Sequence, residues 1–211
     1  NNNLGAPSTS GLSPHLRFGE VSPATAWAEV SNSTENAEPF LRQLIWRDFA
    51  WHRFYHLPNM ATVNVREAFN RFPWEWTPRA KPSSTPMDAE AQHIGELAAW
   101  QSGRTGVPLV DAGMRELWAT GSMHNRARMV VGSWLTKNLG IHWRHGEEWF
   151  WDTLVDADPA SNPFNWQWVA GSGDDAAPYF RVFNPLTQQK KFDLSGTYVA
   201  RWVPEALTPL Y

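Results

Sequence analysis

Apolar residues in this chain recur at three- and four-residue spacing and nowhere alternate with polar ones over the length of a strand, which confines the chain to helices. The clearest case runs from Pro39 to Tyr55. There Phe40, Leu41, Leu44, Ile45, Asp48, Phe49 and His52 fall on one i, i+3, i+4 set. Trp46 and Arg47 lie off that stripe and are candidates for a ligand-facing side. Start and stop signals place the other helices. Ser22-Pro23 supplies an N-cap and a first-turn proline for a helix to about Val30. Asp88 caps a helix to about Trp100 that stops near Gly103, and Leu109 to Thr120 ends at Gly121. Met123 to Leu139 stops at Gly140, and Glu147-Glu148 opens a last helix to about Val155, with acids in its first turn as the macrodipole prefers. Prolines between Leu57 and Pro86 argue against long helices there. The expected fold class is all-α, with the chemistry carried on loops.

Composition narrows the function. The length of 211 residues suits one large domain or two small ones. The absence of cysteine excludes disulfides, thiolate zinc sites, iron–sulfur clusters and cysteine nucleophiles. A net charge of −3 is not that of a general nucleic-acid binder, so any DNA contact has to come from a local basic face. No run of about 18 apolar residues exists, so no membrane span is expected. The chain shows no secretory leader and begins at Asn1 rather than Met, so a leader or a whole upstream domain could be missing. His142 and His145 lack the HExxH pattern, so no metal is expected, and neither a G-x-S-x-G elbow nor a GxGxxG turn occurs.

What composition does single out is 14 Trp beside 11 Phe and 4 Tyr. Indoles are large plates with one N–H donor, suited to planar ligands and to passing electrons. They are densest between Trp143 and Pro185, where Asp156, Asp158, Asn162, Trp166 and Trp168 follow one another closely. An aromatic helical core with capping acids and a ligand site are both compatible with that density. Within the helical stretch His124 to Val131, Asn125, Arg128 and Met129 share one side and Arg126 is turned away from them. The Thr9-Ser10-Gly11-Leu12-Ser13 turn is rich in hydroxyls and N–H groups, which fits either a phosphate cradle or a disordered terminus leading into a helix cap. Arg126, Arg181, Lys190 and Lys191 are the basic residues from which a phosphate-binding patch could be built.

Four stretches, TSGLSPHLRFGEVSP (9–23), FLRQLIWRDF (40–49), GRTGVPLVDAGMRELWATGSMHNRARM (103–129) and nearly all of 143–204, resemble the FAD-binding domain of the photolyase/cryptochrome family. The likeness is greatest to class I bacterial cyclobutane pyrimidine dimer photolyases. It implies a helical domain around FAD, residues 1–211 being the carboxy-terminal catalytic part of a longer protein whose α/β antenna domain, with its unidentified chromophore, is absent here. It implies light-driven repair of pyrimidine dimers in DNA by electron transfer from excited reduced FAD, in the cytoplasm of a bacterium, by a monomer. The alternative within the family is a cryptochrome-like blue-light receptor without repair.

Carried over by position, Thr9, Ser10, Gly11, Leu12 and Ser13 match the phosphate loop. Phe40, Gln43 and Arg47 match residues lining the cofactor cavity, with Gln43 at the lesion contact. Asn125 and Arg128 match flavin or substrate contacts, and Arg128 is expected to pair with Asp156. Asp158 matches a residue beside the ring edge, and Asn162 the amide facing flavin N5. Trp166 and Trp143 match the inner and middle members of the tryptophan electron chain. The outer member falls near Glu90, where Trp74 or Trp76 could substitute. Trp46, Met129 and Trp168 match the lesion-facing side, and Arg126 and Arg181 the residues that grip the DNA backbone.

Several positions choose within the family. Non-histidine residues at 125 and 129 point to the cyclobutane-dimer branch, and Asn162 rather than Asp points away from plant cryptochromes. Gln43 stands where Glu is common, and Ser122 where Trp is usual, opening space beside the cavity.

Overall fold

The protein, described from a computed structural model, is placed over residues 3–6, 9–33, 37–75, 88–176, 178–179 and 181–207, with the side chains of 33, 88–93 and 207 excepted. Among these residues the regular structure is helical, with no strand. In chain order the helices are α1 (Ser13–Arg17), α2 (Pro23–Ser33), α3 (Glu38–His56), α4 (Asp88–Gln101), α5 (Pro108–Thr120), α6 (Asn125–Ser133), α7 (Trp143–Thr153), α8 (Ser161–Ala170), α9 (Pro185–Phe192) and α10 (Thr197–Trp202). Short 3₁₀ turns at Glu67–Arg71 and Pro204–Leu207 and a π turn at Trp134–Asn138 complete the set.

Helix α5 shows how local chemistry sets an element. Pro108 occupies its first turn, and Gly121 closes it in the left-handed region at φ 68°, its N–H bonded to the Leu117 carbonyl. The buried Asp111 carboxylate ties the preceding loop down, accepting from Thr105 N at 2.8 Å, Thr105 Oγ1 at 2.6 Å and Gly106 N at 3.0 Å. A buried carboxylate given this many donors stays satisfied.

Three expectations change. Helix α6 begins at Asn125, not Met123, because the His124 ring caps it, Nδ1 accepting from Arg126 N at 3.1 Å. Helix α7 begins at Trp143, four residues before Glu147, because His142 caps it the same way on Arg144 N at 3.1 Å. Burial, and after it Arg144 and His145, lower the His142 pKa to about 3, so its ring stays neutral and able to accept. The third change is α8, which lies in the tryptophan-rich stretch. Its Asn162, Pro163, Phe164, Trp166, Gln167, Val169 and Ala170 are all buried. A helix enclosed on nearly every side has no polar face and leaves no helical stripe in the sequence.

The core gathers Leu109, Val110, Met114 and Leu117 of α5, Ala127, Val130 and Val131 of α6, Trp143 of α7, and Trp166 and Val169 of α8. Helix α8 packs on α7 and α6 and touches α3, while α5 packs on α6 and α10. Gln167 pins the irregular stretch after α3 to α8. Its Nε2 donates to Met60 O at 2.7 Å and Val63 O at 2.9 Å, and its Oε1 accepts from Val65 N at 2.9 Å. Thus α3, α6, α7 and α8 converge around one space.

Candidate functional site

That space is a cavity open to solvent with a volume of about 180 Å³. Gln43 comes to its wall from α3, Asn125, Arg128, Met129 and Gly132 from α6, and Phe150 from α7. Leu154, Asp156, Ala157 and Asp158 come from the α7–α8 connection, and Ser161, Asn162, Asn165, Trp166, Trp168 and Val169 from α8. The chemistry sits mainly on helices rather than on loops, contrary to the reading from sequence.

Its polar groups are fixed by their neighbours. Arg128 Nη2 bonds both Asp156 oxygens, at 3.1 and 3.0 Å, and its Nε donates to Met123 O at 2.7 Å. The expected Arg128–Asp156 pair is therefore formed. Asp158 Oδ1 accepts from Ala160 N at 2.9 Å and also from Ser161 N, holding the start of α8. Asn162 Nδ2 donates to Glu147 O at 3.0 Å and Glu147 Oε1 at 2.9 Å. Both amide hydrogens are thereby engaged, which leaves Oδ1 to accept from a ligand.

Glu147 was read from sequence as a first-turn acid of α7, but it lies one turn inside that helix, buried behind Asn162. Burial, and then the Glu148 carboxylate, push its pKa from 4.5 up to about 7, against the Asn162 bond. No sequence periodicity marks it; its one signal is its position one turn after Trp143 in a helix whose start the sequence misplaces. The folded chain holds this proton more tightly than the unfolded chain. The stability it contributes is therefore complete below pH 4.5 and lost as pH rises through about 7. Thermal melts across that window should show the decline, and Glu147→Gln should flatten it by up to one proton. An unchanged slope in the variant would show that another group carries the dependence.

The structure brings together nine of the residues singled out from sequence: Gln43, Asn125, Arg128, Met129, Asp156, Asp158, Asn162, Trp166 and Trp168. Others stand apart from the wall. Trp143 is fully buried behind it, its Nε1 donating to Asn64 Oδ1 at 2.8 Å. Trp46 packs on Phe49 at 5.9 Å and on Phe164 at 6.4 Å between ring centroids. Arg47 bonds Asp48 at 3.2 Å and lies over Trp51, and Phe40 is half-buried on the first turn of α3 outside the lining.

Thr9, Ser10, Gly11 and Ser13 are exposed and Leu12 is half-buried, and none of the five reaches the wall. The link from that end is Arg17, whose Nε donates to Ala157 O at 2.5 Å. Arg126 stacks over Phe192 at 4.7 Å, with Nη1 3.8 Å from Met129 Sδ. Arg181 lies over Phe183 at 5.4 Å, and Phe183 in turn stacks on Trp168 at 6.2 Å. Ser122 is exposed and is not a wall residue. Trp76 lies outside the described residues, as does the side chain of Glu90.

Apolar side chains at the wall, Phe150, Leu154, Trp166, Trp168 and Val169, beside oriented polar groups suit a planar heteroaromatic group. Trp166 adds a buried indole N–H with no partner in the protein. Among the described residues no three His, Cys, Asp or Glu side chains group as a metal site, and no helix is long and apolar enough to cross a membrane.

Comparison with known proteins matches residues 40–208 to the family described as the FAD binding domain of DNA photolyase. The deoxyribodipyrimidine photo-lyase of Agrobacterium fabrum is 48% identical over 204 residues, which is 94% of this chain and 39% of that protein. A bacterial class III photolyase from Agrobacterium tumefaciens superposes with a TM-score of 0.84 at 48% identity, over 97% of this chain and 40% of its own. It belongs to a different subdivision from the class I enzymes named by the resemblance. A Synechocystis cryptochrome superposes with a TM-score of 0.78 at 38% identity, over 93% of this chain and 38% of its own. The chain thus spans about two fifths of the length of these relatives.

Proposed function

Because the chain belongs to the family of FAD-binding domains of DNA photolyase, we propose that residues 1–211 form the flavin-binding, catalytic unit of a light-driven cyclobutane pyrimidine dimer photolyase. The observation that carries this reading is the cavity itself. Nine residues that match the family by position meet at one wall, with their polar atoms already oriented.

FAD held there in its reduced form would supply light-driven one-electron chemistry to a cyclobutane dimer. The chain's own residues bind, orient and exclude water. Asn162, held by Glu147, offers its amide oxygen to a ring N–H. Arg128 and Asp156 form a fixed ion pair at one side of the cavity, and Asp158 stiffens the turn into α8. Gln43, Asn125, Met129 and Trp168 form the side that receives the dimer. Gln43 keeps the shape of the common Glu without its charge. Trp46, 41% exposed on α3 one turn from Gln43, offers a second plate for stacking.

A dimer reaches such a site only by leaving the duplex, and photolyases are themselves a standing example of base flipping. Arg181, exposed and joined to Trp168 through Phe183, is the cation placed for phosphate. Arg126, stacked on Phe192, serves packing first. Trp166 and Trp143 lie in one buried cluster and pass electrons inward to restore the reduced cofactor. On this reading the protein is a monomer acting in the bacterial cytoplasm, where its DNA substrate lies.

The test is a flavin spectrum of the purified protein and the light-dependent loss of cyclobutane dimers from DNA, with (6-4) lesions as control. The chain is assayed alone and within any longer protein that carries it. Dimer loss in light, with (6-4) lesions untouched, is expected. Bound and photoreduced flavin with no dimer loss in the longer protein would overturn repair in favour of a light receptor, the reading that the cryptochrome likeness carries.

A further inference from the structure

One segment joins the cavity to the loop that carries Arg181. Gly132 lies on the cavity wall, Ser133 ends α6, and the π turn Trp134–Asn138 follows. The turn closes with Leu139 N on Trp134 O at 3.1 Å, one residue wider than an α-helical bond, which swings its side chains round from where a continued α6 would put them. Ser133 Oγ accepts from Phe183 N at 3.0 Å. Lys137, half-buried in the π turn, donates from Nζ to Arg181 O at 2.7 Å and to Pro178 O at 3.4 Å. One ammonium therefore gathers main-chain oxygens from both sides of Tyr179.

The far end of the same loop is also anchored. Ser172 O accepts from Arg66 N at 2.9 Å, and Asp174 pairs with Arg53 of α3. Between the two anchors Asp175 stands at φ 45°, in the left-handed region that a residue with a Cβ occupies only where its surroundings fix it.

We propose that Lys137 is a positioning residue for DNA: by holding the main chain at Pro178 and Arg181 against the π turn, it presents the Arg181 guanidinium to a phosphate beside the lesion-facing wall. This rests on the reading of Arg181 as a phosphate contact. Lys137 bonds the backbone from which the Arg181 side chain springs and leaves that side chain exposed. Arg181 lies over Phe183 at 5.4 Å and Phe183 stacks on Trp168 at 6.2 Å, so the cation of the loop and the plate of the cavity are held in one register. Burial, and after it the Arg181 charge, lower the Lys137 pKa to about 8. Two cations are thus kept together at a cost that a neutral side chain packed in the same place would not incur.

The FAD-loaded protein, within any longer chain that carries it, is titrated in the dark with duplex DNA holding one cyclobutane thymine dimer, over a range of salt concentrations. Lys137→Met keeps the stem and removes the ammonium, Arg181→Ala removes the guanidinium, and the double variant closes the cycle. Each single variant should weaken binding about tenfold and flatten the salt dependence by about one counterion. The double variant should bind no more weakly than Arg181→Ala, because Lys137 acts through Arg181. Bound flavin should be unchanged, since neither residue lines the cavity. Losses that add in the double variant would show Lys137 acting independently of Arg181 and overturn the proposal. A Lys137→Met protein that loses flavin would show a general structural role and overturn it too. If Lys137→Met binds as the wild type does while Arg181→Ala is weakened, the proposal falls and the reading of Arg181 stands. If Arg181→Ala binds as tightly as the wild type, that reading fails and the proposal fails with it. Should Lys137→Met misfold, Lys137→Gln, polar and of similar length, takes its place in the cycle.

Discussion

Replacing Gly146 by alanine should unsettle the core and the cavity together. A Cβ built there lies 2.5 Å from Cζ3 and 2.6 Å from Cζ2 of Trp166, and closer still to Cη2. The indole cannot give way cheaply. Phe150 stands edge-on to it at 4.9 Å and Trp100 at 6.1 Å, and Trp100 is fully buried. Trp166 also lies on the cavity wall, so any movement it makes reshapes the site. Overpacking of this kind costs about 3 kcal/mol, the upper end of the usual range. The expected result is a fall in melting temperature of several degrees with loss of flavin during purification. The comparison variant is Gly95→Ala, where a Cβ meets nothing within 4 Å and little change is expected. A Gly146→Ala protein as stable and as yellow as the wild type would show that α7 and α8 can separate without penalty.

The second large effect should come from Asp156→Ala. Its side chain is 9% exposed and meets Arg128, which is 28% exposed and also anchored to the Met123 carbonyl. Removal leaves a half-buried guanidinium with one partner fewer. Breaking a fully buried pair costs roughly 3–5 kcal/mol. Because Arg128 keeps some solvent, about 2 kcal/mol is expected here. The stability loss should be accompanied by weaker flavin retention, since both residues face the cavity. Asp156→Asn keeps an oxygen for Arg128 and should recover part of the stability. Denaturant melts with a flavin titration on the same samples separate the two effects. Equal flavin affinity in wild type and Asp156→Ala would show that the pair holds the fold and not the ligand.

The sequence by itself determined the helices whose ends are chemically marked. Pro108 and Gly121 bracket α5 because a ring without an N–H fits the first turn and a residue without Cβ fits the left-handed exit. It also determined that Asn125, Arg128 and Met129 share a side, because helical spacing fixes direction within one element. The family pattern then identified Asp156 as the partner of Arg128 across 28 residues.

Tertiary structure alone decided the rest. Helix α8 carries no stripe because α3, α6 and α7 enclose it. The true starts of α6 and α7 depend on histidine rings kept neutral by burial, a property no residue has alone. Glu147 became a buried partner of Asn162 through the packing of α7 on α8. Trp74 reaches His142 only because the chain after α3 folds back across Gly140. Local sequence sets which residues point the same way; which of them meet depends on how separate elements exclude water from one another.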